Sequence, residues 1–266
     1  MMKVFRGLSV CLCLGALLLV AVPPALAQKS SPPTDSLAGS TPKDVLTRAK
    51  MHTELGSLYF QDGNLIVALE ELTMAISINP NYAQAYSTRG LVLYYIKELD
   101  SADKDFRKAL DIDGKDPEIS NNYGWFLCQT GKEKESIAYF QRAIKNPLYQ
   151  TPETAYLNAG ACFIKMGDLA SAEEYIGKNL RFNSENPQAL YQSAVISYKR
   201  GNYDAAKKRL LDVVRLTDPN AEALWLLVKV SRRLGESEPE SSYTAQLRRK
   251  YPDSPEYTEL LQGKFE

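Results

Sequence analysis

The sequence predicts an all-α fold, an open array of about six helical hairpins stacked side by side and closed by a capping segment. Three observations predict it. A pattern returns every 34 residues over most of the chain. Each unit holds two segments of about 14 residues with apolar side chains at helical spacing, and a glycine or charged turn separates the two. The pattern LGSLYFQDGNLIVALEELTMAISINP (Leu55–Pro80) returns in outline as RGLVLYYIKELDSADKDFRKALDID (Arg89–Asp113) and as YGWFLCQTGKEKESIAYFQRAI (Tyr123–Ile144). It continues as AGACFIKMGDLASAEEYIGKNL (Ala159–Leu180) and AVISYKRGNYDAAKKRLLDVV (Ala194–Val214).

Ahead of the array, Lys3 and Arg6 precede the apolar run Leu8–Val22, Pro23 and Pro24 break it, and Ala25-Leu26-Ala27 follows. This is the layout of a secretory signal peptide over residues 1–27, cut before Gln28. The run falls short of the roughly 20 residues that a spanning helix needs, and an uncleaved anchor is the alternative. Cys11 and Cys13 lie near its start behind Val10 and Leu12. A bacterial lipoprotein would carry its cysteine behind a small residue at the far end. Residues 28–40, QKSSPPTDSLAGS, bury too little apolar surface to offset their chain entropy and are expected to form a flexible linker.

The array, residues 41–266, opens on a start signal: Thr41 as N-cap, Pro42 at the first helical position and Asp44 in a capping box. Gly56, Gly90 and Gly124 then stand 34 apart, as do the turn residues Gly167 and Gly201. From Gly124 to Gly160 the step is 36, so the NPLYQTPE turn carries about two extra residues. Small residues are required where the two helices of a hairpin cross closely. Gly56, Ala68 and Ala75 serve the first unit and Gly90, Ala102 and Ala109 the second, with Tyr59, Leu72, Leu93 and Phe106 filling between them. The period matches the tetratricopeptide repeat, a right-handed superhelix, with units at 49–82, 83–116, 117–152, 153–186, 187–220 and 221–250. In the last unit Trp225–Gly235 reads as a first helix, ESEPESS as an interruption, and a short helix ends near Arg249. After the break YPDSPE, a final turn around Tyr257–Leu261 belongs to a C-terminal cap over 251–266.

Composition narrows the chemistry. The 32 Lys and Arg, two of them in the leader, balance 32 Asp and Glu, so no basic stripe points to nucleic acid. One histidine, His52, rules out a Ser-His-Asp or Cys-His arrangement built on a second one and reads as a packed or half-exposed residue. No phosphate-binding or dinucleotide-binding glycine loop is present, and no cofactor or metal is expected. The acidic stretch DIDGKDPE, with Asp111, Asp113, Asp116 and Glu118, lacks the spacing of a calcium loop and falls at an inter-repeat turn, where Asp caps helices. Once the leader is removed, Cys128 and Cys162 remain, which leaves a single disulfide open.

In a tetratricopeptide stack, positions 2, 5, 9, 12 and 13 of each first helix would face the groove, with position 6 at its edge. Here those positions carry Phe60, Tyr94, Tyr95, Asn121, Trp125, Cys128, Tyr191, Tyr198 and Trp225, with Asn122 and Asn158 at the edge. Aromatic side chains gathered on a concave face suit protein anchoring, and packing between successive helices is the competing reading. A clamp for a free C-terminal carboxylate would need Lys, Asn and Arg at set positions. Repeats two to four offer Ser87, Leu91, Asn122, Thr154 and Asn158 there, and only Asn122 matches.

The stretch Asn121–Tyr175 carries a narrower signal: NNYG, FLC, the long NPLYQTPE turn and NAGAC. With six repeats behind an export signal, it resembles the type IV pilus biogenesis and stability family, the tetratricopeptide pilotins of the PilW/PilF type. The resemblance implies a non-catalytic periplasmic scaffold on the inner face of the outer membrane, acting as a monomer. Its partner would be the pilus secretin subunit, whose localisation and multimerisation it supports. Family cysteines match Cys128 and Cys162, which predicts a bridge between them against two buried thiols. Members of the family are typically lipoproteins, and this chain lacks the motif; outer-membrane association through a partner or through lipidation both stay open. A periplasmic adaptor for other cell-envelope machinery, such as peptidoglycan synthesis, is the alternative.

Overall fold

A computed structural model describes residues 41–265. The expected signal peptide and linker lie outside the described residues. Among the described residues there are thirteen α-helices and no strand. They form hairpins from α1 (Pro42–Gln61) and α2 (Leu65–Ile78), α3 (Ala83–Tyr95) and α4 (Leu99–Ile112), and α5 (Pro117–Gln129) and α6 (Glu133–Lys145). Then come α7 (Pro152–Met166) and α8 (Leu169–Phe182), α9 (Pro187–Lys199) and α10 (Tyr203–Leu216), α11 (Ala221–Leu234) and α12 (Ser237–Lys250), and the single helix α13 (Pro255–Leu261).

Sequence chemistry sets the helix ends. Thr41 caps α1 in a full capping box, its side chain accepting from the Asp44 amide while Asp44 accepts from the Thr41 amide. Asn64, Asp116, Asp168, Asn186, Asn202, Asn220 and Ser254 cap later helices in the same sense. The hairpin turns use the left-handed region. Gly63 and Gly131 sit there at φ 77° and 84°, and at the equivalent place in the second repeat stands Lys97, with φ 70°, the one such non-glycine among the described residues.

Each odd helix packs on the even helix that follows it, and successive odd helices also pack on one another, α1 on α3 and so on to α9 on α11. The even helices make no comparable contacts among themselves. The odd layer is therefore the tighter, inner layer of a curved stack. Close approach within hairpins rests on the predicted small residues. A Cβ on Gly56 would lie 2.7 Å from Leu72 Cγ, one on Gly90 2.9 Å from Phe106 Cε2, and one on Gly160 2.4 Å from Ile176 Cδ1. Leu72, Phe106, Phe140 and Ile176 are essentially fully buried as a result. The longer turn before α7 is pinned by Tyr149, which packs on Ala143 and Ala155. Burial pushes its phenol up to about 12.

One expectation is corrected. ESEPESS does not interrupt the sixth unit: α12 runs unbroken over Ser237–Lys250. Pro239 falls in its first turn, where backbone N–H groups have no intrahelical acceptor to lose. The final turn is α13, and it packs on α11 as the next first helix would.

Two substitutions test this account by chemical denaturation. Gly160→Ala should cost about 1–3 kcal/mol by overpacking against Ile176. Lys97→Gly should stabilise by about 1 kcal/mol by relieving the left-handed backbone of a non-glycine residue.

Candidate functional site

The inner layer carries three zones. In the first, α1, α3 and α5 bring together Phe60, Tyr94, Tyr95 and Trp125. Tyr95 stacks on Trp125 with centroids 6.0 Å apart, and Phe60 meets Tyr95 edge-on at 5.3 Å. Tyr94 meets Trp125 edge-on at 4.8 Å and also reaches Phe126 in the core. The Lys97 ammonium lies over the Tyr94 ring. Tyr95 remains 49% exposed and the other rings half-buried, so the cluster is held from below and open above. Rings locked by one another lose little side-chain entropy on contact with a partner.

The first helix also carries an exposed apolar face, which the groove positions do not include. Met51, Leu55 and Leu58 follow one another at helical spacing on α1, opposite its buried residues Ala49, Thr53 and Gly56, and all three are exposed, as is Ile66. The repeat frame could have found them. The positions equivalent to Met51 are Ala85, Ile119, Ala155, Ala189 and Ala223, and those equivalent to Leu58 are Val92, Phe126, Cys162, Ile196 and Val230; every one is buried. In later repeats the preceding hairpin covers these sites. In the first repeat no described residue does.

The second zone is polar. Asn158 donates to Asn121 Oδ1 at 3.0 Å, Asn121 to Asn122 Oδ1 at 3.4 Å, and Asn122 to Ser87 Oγ at 3.3 Å. This chain of amides crosses α3, α5 and α7. Asn121 is 4% exposed and its amide is committed to its neighbours, so the structure makes it a connector rather than an open binding group. Cys128, placed at a groove position by the repeat frame, is also buried. It is joined to Cys162 as a disulfide between α5 and α7, with Cα atoms 5.9 Å apart. Lys165 closes the same corner, donating to the Cys128 carbonyl and pairing with Glu133.

In the third zone Tyr191, Tyr198 and Trp225 come together on α9 and α11, but the groove is filled there. Trp225 is 3% exposed because α13 and the residues after it lie across it. Its indole N–H donates to Glu259 at 2.7 Å, and Phe265 packs on its ring at 5.2 Å. A cavity of about 490 Å³ opens beside Tyr191, between α7, α9 and α11, bordered by Ile164, Gln192, Val195 and Glu222.

The remaining candidates are structural. His52 Nδ1 sits 2.6 Å from Glu71 on α2. Asp116 caps α5 through the Glu118 and Ile119 amides and accepts from Gln84. Among the described residues no group of three His, Cys, Asp or Glu side chains could hold a metal ion. What the inner layer offers is a contact surface, the aromatic cluster carried by repeats one to three.

The tetratricopeptide repeat family models match residues 83–116 and 188–220. A relative described as type IV pilus assembly protein PilF, from Pseudomonas aeruginosa, is 31% identical over 213 residues, spanning 80% of this chain and 84% of its own. Among solved structures, that of PilW, described as a widely conserved type IV pilus biogenesis factor, is 32% identical with a TM-score of 0.72, covering 80% of this chain and 98% of its own. The structure of Pseudomonas aeruginosa PilF is 29% identical with a TM-score of 0.69, covering 82% and 98%.

Alanine substitutions should separate surface from core among the aromatic residues of repeats two and three. Tyr95→Ala should change stability by no more than about 0.5–1 kcal/mol, and Tyr123→Ala, which empties a fully buried site, by about 3–5 kcal/mol. Thiol titration of the oxidised, denatured protein should find Cys128 and Cys162 unreactive, and reducing the bridge should cost about 2–4 kcal/mol.

Proposed function

This chain belongs to the type IV pilus biogenesis family of tetratricopeptide proteins, and from that premise we propose that it is a non-catalytic periplasmic scaffold for the pilus secretin. It binds a secretin subunit at the inner face of the outer membrane and supports localisation and multimerisation of the ring. The observation that carries this reading is the open surface of repeats one to three. There Phe60, Tyr94, Tyr95 and Trp125 form a connected aromatic cluster, and Met51, Leu55 and Leu58 are exposed on the first helix. Large rigid aromatics in an apolar setting are what protein interfaces use as anchors. A helix or extended segment with apolar side chains on one face would fit it.

Of the groove residues read from the sequence, Phe60, Tyr94, Tyr95 and Trp125 keep the binding role, with Asn122 and Asn158 beside them. Asn121 positions its neighbours. Export places the scaffold where secretin subunits arrive, and the leader read at residues 1–27 supports that route.

The test is a strain in which Tyr95→Ala and Trp125→Ala replace the native chain. Denaturant-resistant secretin multimers and surface pili should fall by about tenfold or more while the variant accumulates to normal levels. Unchanged multimers would overturn the reading, and affinity capture that enriches peptidoglycan-synthesis enzymes instead of secretin would point to an envelope adaptor.

A further inference from the structure

The C-terminal end of the chain departs from a simple cap. Pro255 stands 34 residues after Ala221, at the place where a seventh first helix would begin. The helix stops at Leu261, and the chain reverses through Gly263, whose φ is +67°. It then runs back across α11 as far as α9, where the Tyr198 hydroxyl donates to the Phe265 carbonyl at 3.3 Å.

What the segment touches is recognition chemistry. Glu259 accepts from the Trp225 indole at 2.7 Å. The Phe265 ring lies 5.2 Å from the Trp225 ring, with the Arg232 guanidinium 3.3 Å from its centroid on another side. Lys229 spans the rings of Tyr198 and Trp225. Its ammonium titrates below the ordinary lysine range because burial outweighs the attraction of Glu259, with Lys199 adding to the depression. A second cavity, about 330 Å³, opens beside these contacts and is bordered by Tyr191, Lys199, Trp225, Lys229 and Glu259.

The hold on this segment is partial. α13 has no buried residue, and Leu261 is 70% exposed. Trp225, Leu224 and Leu227 beneath it are buried. Tyr257, Leu260 and Phe265 pack half-buried on the cluster that contains Trp225 and Leu224, and a carboxylate, an aromatic ring and a carbonyl add specific contacts to that cover.

We propose that residues 255–265 are a displaceable internal ligand, occupying a peptide site on α9 and α11 that accepts partner segments carrying a carboxylate followed by an aromatic residue. The site is separate from the surface of repeats one to three and holds whatever partner binds there. Displacement by such a segment passes the contacts of Trp225 and Tyr198 to the partner and converts the closed end of the stack into a second contact.

A fluorescent peptide copying residues 255–266 tests this against the full chain. The wild-type chain, whose own segment competes, should bind it at least about tenfold more weakly than the Phe265→Ala variant, which loosens that segment. Adding Trp225→Phe to that variant, which removes the indole donor, should weaken binding again. Gly263→Val opens the hook by backbone strain, a Cβ there lying 4.0 Å from the Phe265 ring, and takes the place of Phe265→Ala if that variant loses its helical circular dichroism. Absence of peptide binding to a folded, opened variant overturns the proposal and makes the segment a fixed part of the fold. Equal binding to wild type and opened variants overturns it as well.

Discussion

The close approach of two helices within each hairpin is the constraint on which the rest depends. It is set by residues with almost no side chain, Gly56, Gly90, Gly124 and Gly160, against Leu72, Phe106, Phe140 and Ile176. With that distance short, odd helices reach one another along the stack while even helices do not, and the layer of odd helices becomes the inner face. The curvature then decides exposure. Side chains on one face of an odd helix interlock with its hairpin partner, and those on another are offered to the groove.

The two ends of the stack solve one problem in opposite ways. A repeat array must leave an apolar face at each end unless something covers it. At the C-terminal end the chain does so with α12, α13 and the hook through Gly263. At the start of the described chain Met51, Leu55 and Leu58 stay open, and every later repeat buries the positions equivalent to Met51 and Leu58. The aromatic cluster around Tyr95 is a patch of its own, carried by α1, α3 and α5. Between the ends, the Asn121 amide network and the Cys128–Cys162 bridge tie α5 to α7 and keep that patch on a rigid support.

Much of this was legible in the residues. Period, small positions and caps give the hairpins in order and the starts of α3, α5, α7, α9 and α11 to within a residue, because each rests on local chemistry: a Thr41 cap, a Pro at a first turn, a Gly in a left-handed turn. The aromatic cluster was legible too, since positions within a first helix fix direction. Three features were not. Trp225 shares its repeat position with Asn121, yet its burial comes from a segment 34 residues away that turns back only because of Gly263. Asn121 was read by direction alone, and direction does not say that neighbouring amides will consume its hydrogen bonds. ESEPESS reads as an interruption because the place of Pro239 in a first turn depends on where α12 starts.

The central claim is that the open aromatic patch of repeats one to three meets the secretin subunit. It is tested most directly by placing a photo-crosslinking amino acid at position 95 and irradiating cells that are assembling pili. The account predicts an adduct containing the secretin subunit, reduced or absent when the crosslinker sits at Asp111, on an exposed part of α4 in the outer layer. Adducts that lack the secretin subunit at position 95, in cells with normal pili, would contradict it.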